Sequence, residues 1–290
     1  MSKRESWIMK NSIHGQLNTL MAEWRMNMRA QSLADRTINE RIRVTRQFVA
    51  FTDTAPLDID AEQILQWLST LPSANTRWSY YTSLKAFFKW LEISEKRCSN
   101  PFLRIRAPKR PKYKPRPVAL EHIEFILSQN LHRRTRCMIM LAFNCGLRVS
   151  EIAKVRGQDY DPLTGGLTVE GKGGKIALVP VNKQLQPFFN TMPRRGYWFP
   201  SYSHPGQHVR SRSVGDTIVH VFARYGITIT AHQLRHSFGT ELLRASVDIR
   251  VVQELMRHES IQTTALYTRV VQDQKQEGTD MLPVFLGDNA

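Results

Sequence analysis

The chain has 290 residues, 41% of them hydrophobic and 23% charged, a make-up that excludes fibrous and intrinsically disordered classes and suggests about two domains. Its 41 Lys and Arg against 25 Asp and Glu leave a net charge of +16, which points to a polyanionic partner, nucleic acid before membrane. The longest apolar run, Cys137 to Phe143, is seven residues, far below the roughly 18–20 needed to span a bilayer. Three cysteines, Cys98, Cys137 and Cys145, without a Cys-x-x-Cys pair, exclude a disulfide framework and a zinc ribbon.

The first 100 residues read as helical throughout. Ile13, Leu17, Leu20, Met21 and Trp24 recur at helical spacing, and Ile38, Ile42, Thr45 and Val49 do so again after the capping candidates Ser32 and Asp35. Ile64, Trp67 and Leu68 make a short third helix after Asp60, and a fourth runs from about Ser73 to Leu91. At this spacing the aromatics Trp78, Tyr80, Tyr81, Phe87, Phe88 and Trp90 are core residues rather than a platform for bases.

Residues 101–117 carry seven basic residues, no acidic residue and five prolines. Proline lacks an amide donor and fixes φ, so this stretch reads as an extended linker. Its cations Arg104, Arg106, Lys109, Arg110, Lys112, Lys114 and Arg116 form a strap suited to lie along phosphates. The layout is therefore a helical domain over 1–100, a basic Pro-rich linker over 101–117 and a second domain over 118–290.

The second domain reads as mixed. Helices are predicted near 119–129, 134–144 and 148–155, the second closed by Gly146. Leu167-Thr168-Val169-Glu170 and Lys175 to Val181 flank Gly171-Lys172-Gly173-Gly174, which gives strand, glycine turn and strand. Further helices are predicted near 183–191, 211–225, 231–245, 248–257 and 261–270. The fold class is mostly α with a small antiparallel β-sheet.

Several motifs fail on inspection. Gly166 to Lys172 matches the start of a phosphate-binding P-loop, but Gly173 stands where a Ser or Thr hydroxyl is required and a strand follows. His232 and His236 are four apart but have no Glu between them and no Cys nearby, so a zinc site is not expected. Other fragments, weak singly, accumulate. His232-Gln233-Leu234-Arg235 sets an imidazole and a guanidinium on one helix face. Arg148 opens a helix after Gly146-Leu147, with Glu151 one turn on, and His258 precedes Tyr267 by nine residues.

Taken together, Arg148, Lys172, His232, Arg235, His258 and Tyr267 resemble the active-site signature of the tyrosine recombinase/integrase family, over most of residues 118–270. The matching words are Gly146-Leu147-Arg148-Val149-Ser150-Glu151, Gly171-Lys172-Gly173, His232 to Phe238, and His258-Glu259-Ser260 leading to Thr263-Thr264-Ala265-Leu266-Tyr267. The N-terminal helices look like that family's core-binding domain, which makes 118–290 an α+β catalytic domain with a C-terminal tail. One departure is plain: the family usually has Leu-Gly before the histidine, whereas this chain has Met256-Arg257.

The chemistry that a phosphodiester demands divides among these residues. Arg148 and Arg235 would clamp the non-bridging oxygens with planar, permanently charged forks. Tyr267 would be the nucleophile, and the resemblance implies a 3′-phosphotyrosyl link and a free 5′-hydroxyl. A free tyrosine has a pKa of about 10, so it needs a base, for which His232 is the candidate. The resemblance makes Lys172 the acid for the leaving oxygen, while His258 would hydrogen-bond the phosphate and Glu151 would orient Arg148 or His232. No carboxylate cluster suited to Mg²⁺ stands out, and exchange of one phosphoester for another retains bond energy, so neither metal nor ATP is expected.

The expected partner is double-stranded DNA with inverted half-sites, and the resemblance implies a homotetramer on synapsed DNA, with accessory DNA-bending or partner recombinase proteins as candidates. No additional domain is expected ahead of the first helix, which gives a simple two-domain, Xer-like layout. A cytoplasmic, nucleoid-associated location in a bacterial, phage or mobile-element context follows. Two competing readings share the basic clamp: a catalytically silent DNA-binding regulator and a type IB topoisomerase.

Overall fold

The computed structural model describes residues 3–110, 116–171 and 174–257. The chain divides into two compact units, Met1–Lys112 and Tyr113–Ala290.

Four helices build the first unit: α1 (Lys3–Ala30), α2 (Asp35–Thr52), α3 (Ala61–Thr70) and α4 (Ala74–Ile93). Apolar residues spaced three and four apart place Trp24, Met28, Ile38, Phe48, Ile64, Leu84, Phe87, Phe88 and Leu91 in one core. Tyr81 and Trp90 are also buried, and Trp78 and Tyr80 are half-buried, so these aromatics serve packing. Start signals work as expected at α3, where Asp60 accepts from the Gln63 N–H and the Gln63 side chain accepts from the Asp60 N–H, and at α4, where Ser73 accepts from the Thr76 N–H. At α2 they do not. Ala34 is the N-cap and makes no side-chain bond; Ser32 takes a left-handed turn with φ 56°. Asp35 lies one position inside the helix, where its charge meets the positive end of the helix dipole instead of capping an amide.

The linker starts later than its composition suggests. Pro101–Arg104 is a short 3₁₀ helix with proline in its first turn and Asn100 capping the Phe102 N–H. Proline is tolerated there because the amide it lacks would have had no intrahelical partner. Phe102 and Ile105 are buried in the first unit's core, with the Phe102 ring 5.2 Å from that of Tyr81 and 5.7 Å from that of Phe88. Arg104, Arg106, Lys109, Arg110 and Arg116 are exposed; Lys112 and Lys114 lie outside the described residues.

Seven helices and one small sheet are described in the second unit: α5 (Leu120–Ser128), α6 (Arg133–Phe143), α7 (Val149–Lys154), β1 (Tyr160–Asp161), β2 (Gly166–Glu170), β3 (Ile176–Pro180), α8 (Gln186–Phe189), α9 (Ser211–Ala223), α10 (Ala231–Arg244) and α11 (Ile249–Leu255). The sheet is antiparallel in the order β1-β2-β3, with Leu167 opposite Val179 and Val169 opposite Ala177. Strand alternation turns Leu167, Val169 and Val179 into the core. The sheet gains β1 over the expected hairpin, because two residues are too few to show a period. The helix predicted over 183–191 is a 3₁₀ turn at Lys183–Leu185 followed by the single turn of α8. The helix predicted at 261–270 lies outside the described residues.

α10 packs against α6, α9 and α11, and its buried side is polar in the middle: Arg235, His236, Ser237 and Thr240 are all nearly inaccessible. α6 closes as its sequence suggests, with Gly146 left-handed at φ +59° and the Leu147 N–H bonded to the Leu141 carbonyl. A Cβ at Gly146 would lie 2.5 Å from the Phe238 ring. Gly146→Ala should therefore combine left-handed strain with a core clash and lower stability by about 2 kcal/mol or more, read as a fall in urea midpoint. A midpoint at or above the wild-type value would show that the ring yields freely.

Candidate active site

The loop from Gly146 to Arg148 opens α7 and begins the site. Arg148 is the N-cap, in extended conformation. Glu151, one turn on, reaches back. Its Oε2 accepts from the Arg148 N–H at 2.8 Å and its Oε1 accepts from Arg148 Nη1 at 2.8 Å. Glu151 is only 2% exposed. Burial alone pushes its carboxyl pKa up, but Arg257, the Arg148 amide and guanidinium, and Arg235 together outweigh that and hold it below the usual range. A group in this position stays ionised at neutral pH and can hold cations in place.

Arg235 is the most deeply placed of the cations, 1% exposed on α10. One terminal nitrogen donates to the Gly146 carbonyl and the other to the Met256 carbonyl. His232 stands one turn earlier on the same helix, its ring 4.4 Å from that of His236 at 80°. As a residue His232 is exposed, yet the protein packed against its ring, and then Arg235 and Arg148, push its pKa below that of a free imidazole. It is therefore neutral at pH 7 and able to take a proton.

The turn after α11 completes the arrangement. Arg257, where the family pattern usually has glycine, adopts the left-handed conformation at φ 51°, which costs a non-glycine residue about 1–2 kcal/mol. Its guanidinium is 12% exposed and donates through Nη2 to Glu151 Oε2 and to the Gly146 carbonyl, both at 2.9 Å. Its own carbonyl accepts from Arg148 Nη2 at 3.3 Å. The arginine thus ends α11 with the backbone that a glycine would take. Three guanidiniums surround one carboxylate, a local surplus of positive charge suited to an anion.

Of the remaining sequence-derived residues, Lys172, His258 and Tyr267 lie outside the described residues. The loop carrying Lys172 starts beside the site, since a Cβ on Gly171 would lie 3.7 Å from Glu151 Oε1. Sequence reading missed Ser237, whose hydroxyl accepts from the Val118 N–H at 2.8 Å and lies 3.1 Å from the Val118 carbonyl; no local motif announces a contact across 119 residues. Among the described residues, no group of three or more His, Cys, Asp and Glu could hold a metal ion, and no helix is long and apolar enough to cross a membrane.

With this geometry in view, comparison with known proteins is decisive. The phage integrase family model matches residues 119–274, more than half of the chain. The chain belongs to the phage integrase family of tyrosine recombinases. Tyrosine recombinase XerA of Pyrococcus furiosus is 34% identical over 209 residues, 68% of this chain and 71% of that protein. Tyrosine recombinase XerD of Listeria monocytogenes is 29% identical over 266 residues, 83% of this chain and 90% of that protein. Among solved structures, a λ integrase (75–356) dimer bound to a COC′ core site superposes with a TM-score of 0.70 at 16% identity, over 86% of this chain and 94% of that one. A λ integrase tetramer bound to a Holliday junction gives 0.68 at 17% identity, over 84% and 77%. These two establish the recombinase fold. The enzyme is a site-specific DNA recombinase, and its recombinase relatives favour neither a topoisomerase nor a silent regulator.

In this recombinase the Glu151 carboxylate is the counter-charge of the site. Glu151→Ala leaves the Arg148 and Arg257 guanidiniums without it and should cost about 3 kcal/mol in urea denaturation. Because the folded pKa of Glu151 is depressed, its contribution is present above the unfolded value of 4.5 and is lost as pH falls through the folded value. The stability gap between wild type and Glu151→Gln should thus narrow below about pH 4.5. A gap that is flat with pH would contradict an ionised Glu151.

Proposed function

We propose that this recombinase cuts and rejoins DNA through a 3′-phosphotyrosyl intermediate formed by Tyr267, with Arg148 and Arg235 as the phosphate clamp. The observation that carries this reading is the convergence of both arginine forks on one turn of the chain, Met256-Arg257, beside the buried Glu151. The Tyr267 oxygen attacks phosphorus, the bond from phosphorus to the 5′ oxygen breaks, and the phenolic proton passes to His232. Lys172 gives a proton to the leaving 5′ oxygen, and His258 hydrogen-bonds the phosphate. Rejoining reverses these steps with the 5′-hydroxyl of a partner strand. One phosphoester replaces another, so no nucleotide is consumed, and the guanidiniums supply electrostatic stabilisation of the kind a metal would otherwise give.

The same reading assigns residues 1–100, together with the packed turn over 101–105, to a helical core-binding domain, the remainder of 101–117 to a DNA-following strap and 118–290 to catalysis. The charge distribution supports it: residues 101–117 hold seven of the basic residues and none of the acidic ones. The λ integrase structures, a dimer on a core site and a tetramer on a Holliday junction, support a homotetramer on synapsed DNA for this chain as well; inverted half-sites, with accessory bending or partner recombinase proteins as candidates, belong to the same proposal. A cytoplasmic, nucleoid-associated location fits a DNA substrate.

A nicked suicide duplex that loses its 5′-hydroxyl fragment tests the mechanism. Wild type should become covalently attached to DNA, also in the presence of a chelator. Tyr267→Phe should bind duplex nearly as well and form no adduct, and an undiminished adduct would remove Tyr267 from its role. Arg148→Ala and Arg235→Ala should each slow attachment by about 100- to 1000-fold, the loss attached to a single oxyanion donor, or more because a charge is removed. Because His232 is held neutral, attachment should persist on acidification to below pH 6.5, the ordinary imidazole value, and fall only at lower pH. A fall centred at or above that value would contradict His232 as the base.

A further inference from the structure

The end of α11 departs from the family pattern, and the described guanidiniums of the site meet there. Met256 offers its carbonyl to Arg235, and Arg257, the next residue, offers its carbonyl to Arg148. Two successive peptide units thus aim the two forks that the proposed mechanism places on the phosphate. Their direction depends on the left-handed backbone of Arg257. We infer that Arg257 is a positioning residue for strand cleavage: its side chain fastens this turn to Glu151 and Gly146, so that both carbonyls hold the Arg148 and Arg235 forks in register for one phosphate. This inference rests on the phosphotyrosyl reading above.

A glycine at 257 would reach the same backbone conformation with less strain, but it would leave the turn with no side-chain attachment. The arginine instead ties three pieces of chain together. Its Nη1 donates to the Leu255 carbonyl at 2.8 Å, closing the turn on itself, while Nη2 crosses to the Gly146 carbonyl and to Glu151 Oε2. The Gly146 carbonyl also accepts from Arg235, and Glu151 also binds Arg148. Every acceptor that Arg257 reaches across the fold is therefore one that a clamp arginine uses too. Among the described residues the buried Arg257 Nε has no partner, and burial of a donor without one is unfavourable, so the side chain is held here by its terminal nitrogens rather than by Nε. A planar fork suits this double acceptance, whereas a lysine ammonium can supply the charge but not the geometry.

The test uses the full chain, and compares wild type, Arg257→Gly, Arg257→Lys, Glu151→Gln and the Glu151→Gln/Arg257→Gly double variant. Single-turnover attachment to the suicide duplex at saturating protein is measured together with duplex affinity and the urea midpoint. Arg257→Gly should keep its fold and bind duplex within about threefold of wild type while attachment slows at least tenfold, a loss confined to the chemical step. Arg257→Lys should recover part of that rate. In the Glu151→Gln background, Arg257→Gly should slow attachment by no more than about threefold, because the two residues act through one another.

Attachment by Arg257→Gly at the wild-type rate would overturn the inference. So would a tenfold loss that is undiminished in the Glu151→Gln background, or loss of the folded state in Arg257→Gly, since glycine accommodates this backbone and unfolding would make Arg257 a folding residue. Failure of wild type itself to attach would be a different result: it would overturn the phosphotyrosyl reading, and this inference with it.

Discussion

A single carboxylate, Glu151, buried among guanidiniums, is the interaction on which the catalytic unit turns. Like charges brought together in a poorly solvated place repel strongly, and Arg148, Arg235 and Arg257 would disperse without a counter-ion. Glu151 satisfies both the charge and the geometry: one oxygen holds the Arg148 fork, the other holds Arg257 and the Arg148 amide. Two residues gripping opposite sides of one acid give the site a defined shape before any anion arrives. A surplus of positive charge remains, open to an anion.

The scaffold serves this arrangement with main-chain groups as much as with side chains. Gly146 contributes a carbonyl to two arginines because its left-handed turn leaves that oxygen pointing at them and not into a helix. Phe238 fills the space where any larger residue at 146 would sit, so the loop, α10 and the turn after α11 press against one another. The sheet adds a loop whose first residue, Gly171, approaches the same carboxylate. Elements far apart in sequence thereby share one electrostatic centre.

How much of this the amino-acid sequence discloses depends on range. Helix periodicity was legible over α1, α2 and α4, because each repeats an apolar stripe several times. The three-residue step from Arg148 to Glu151 was legible as well, since one helical turn fixes which side chains meet. By contrast, β1 is too short to carry a pattern, and the 3₁₀ helix at Pro101 is disguised by a proline content that normally signals extended chain. The position of Arg257 was legible only as a departure: its sequence context shows a missing glycine but not the left-handed backbone or the reach to Glu151. Contacts such as Val118 with Ser237 leave no local trace, since they are set by tertiary packing.

That contact has a mechanical meaning. The main chain that emerges from the basic strap does not enter the catalytic unit loosely; at Val118 both its amide and its carbonyl engage the Ser237 hydroxyl, two residues along α10 from Arg235 and five from His232. Arg116 lies two residues before this clasp. A pull on the chain at Arg116 is therefore delivered through that clasp to the very rod that carries the deepest cation and the neutral imidazole.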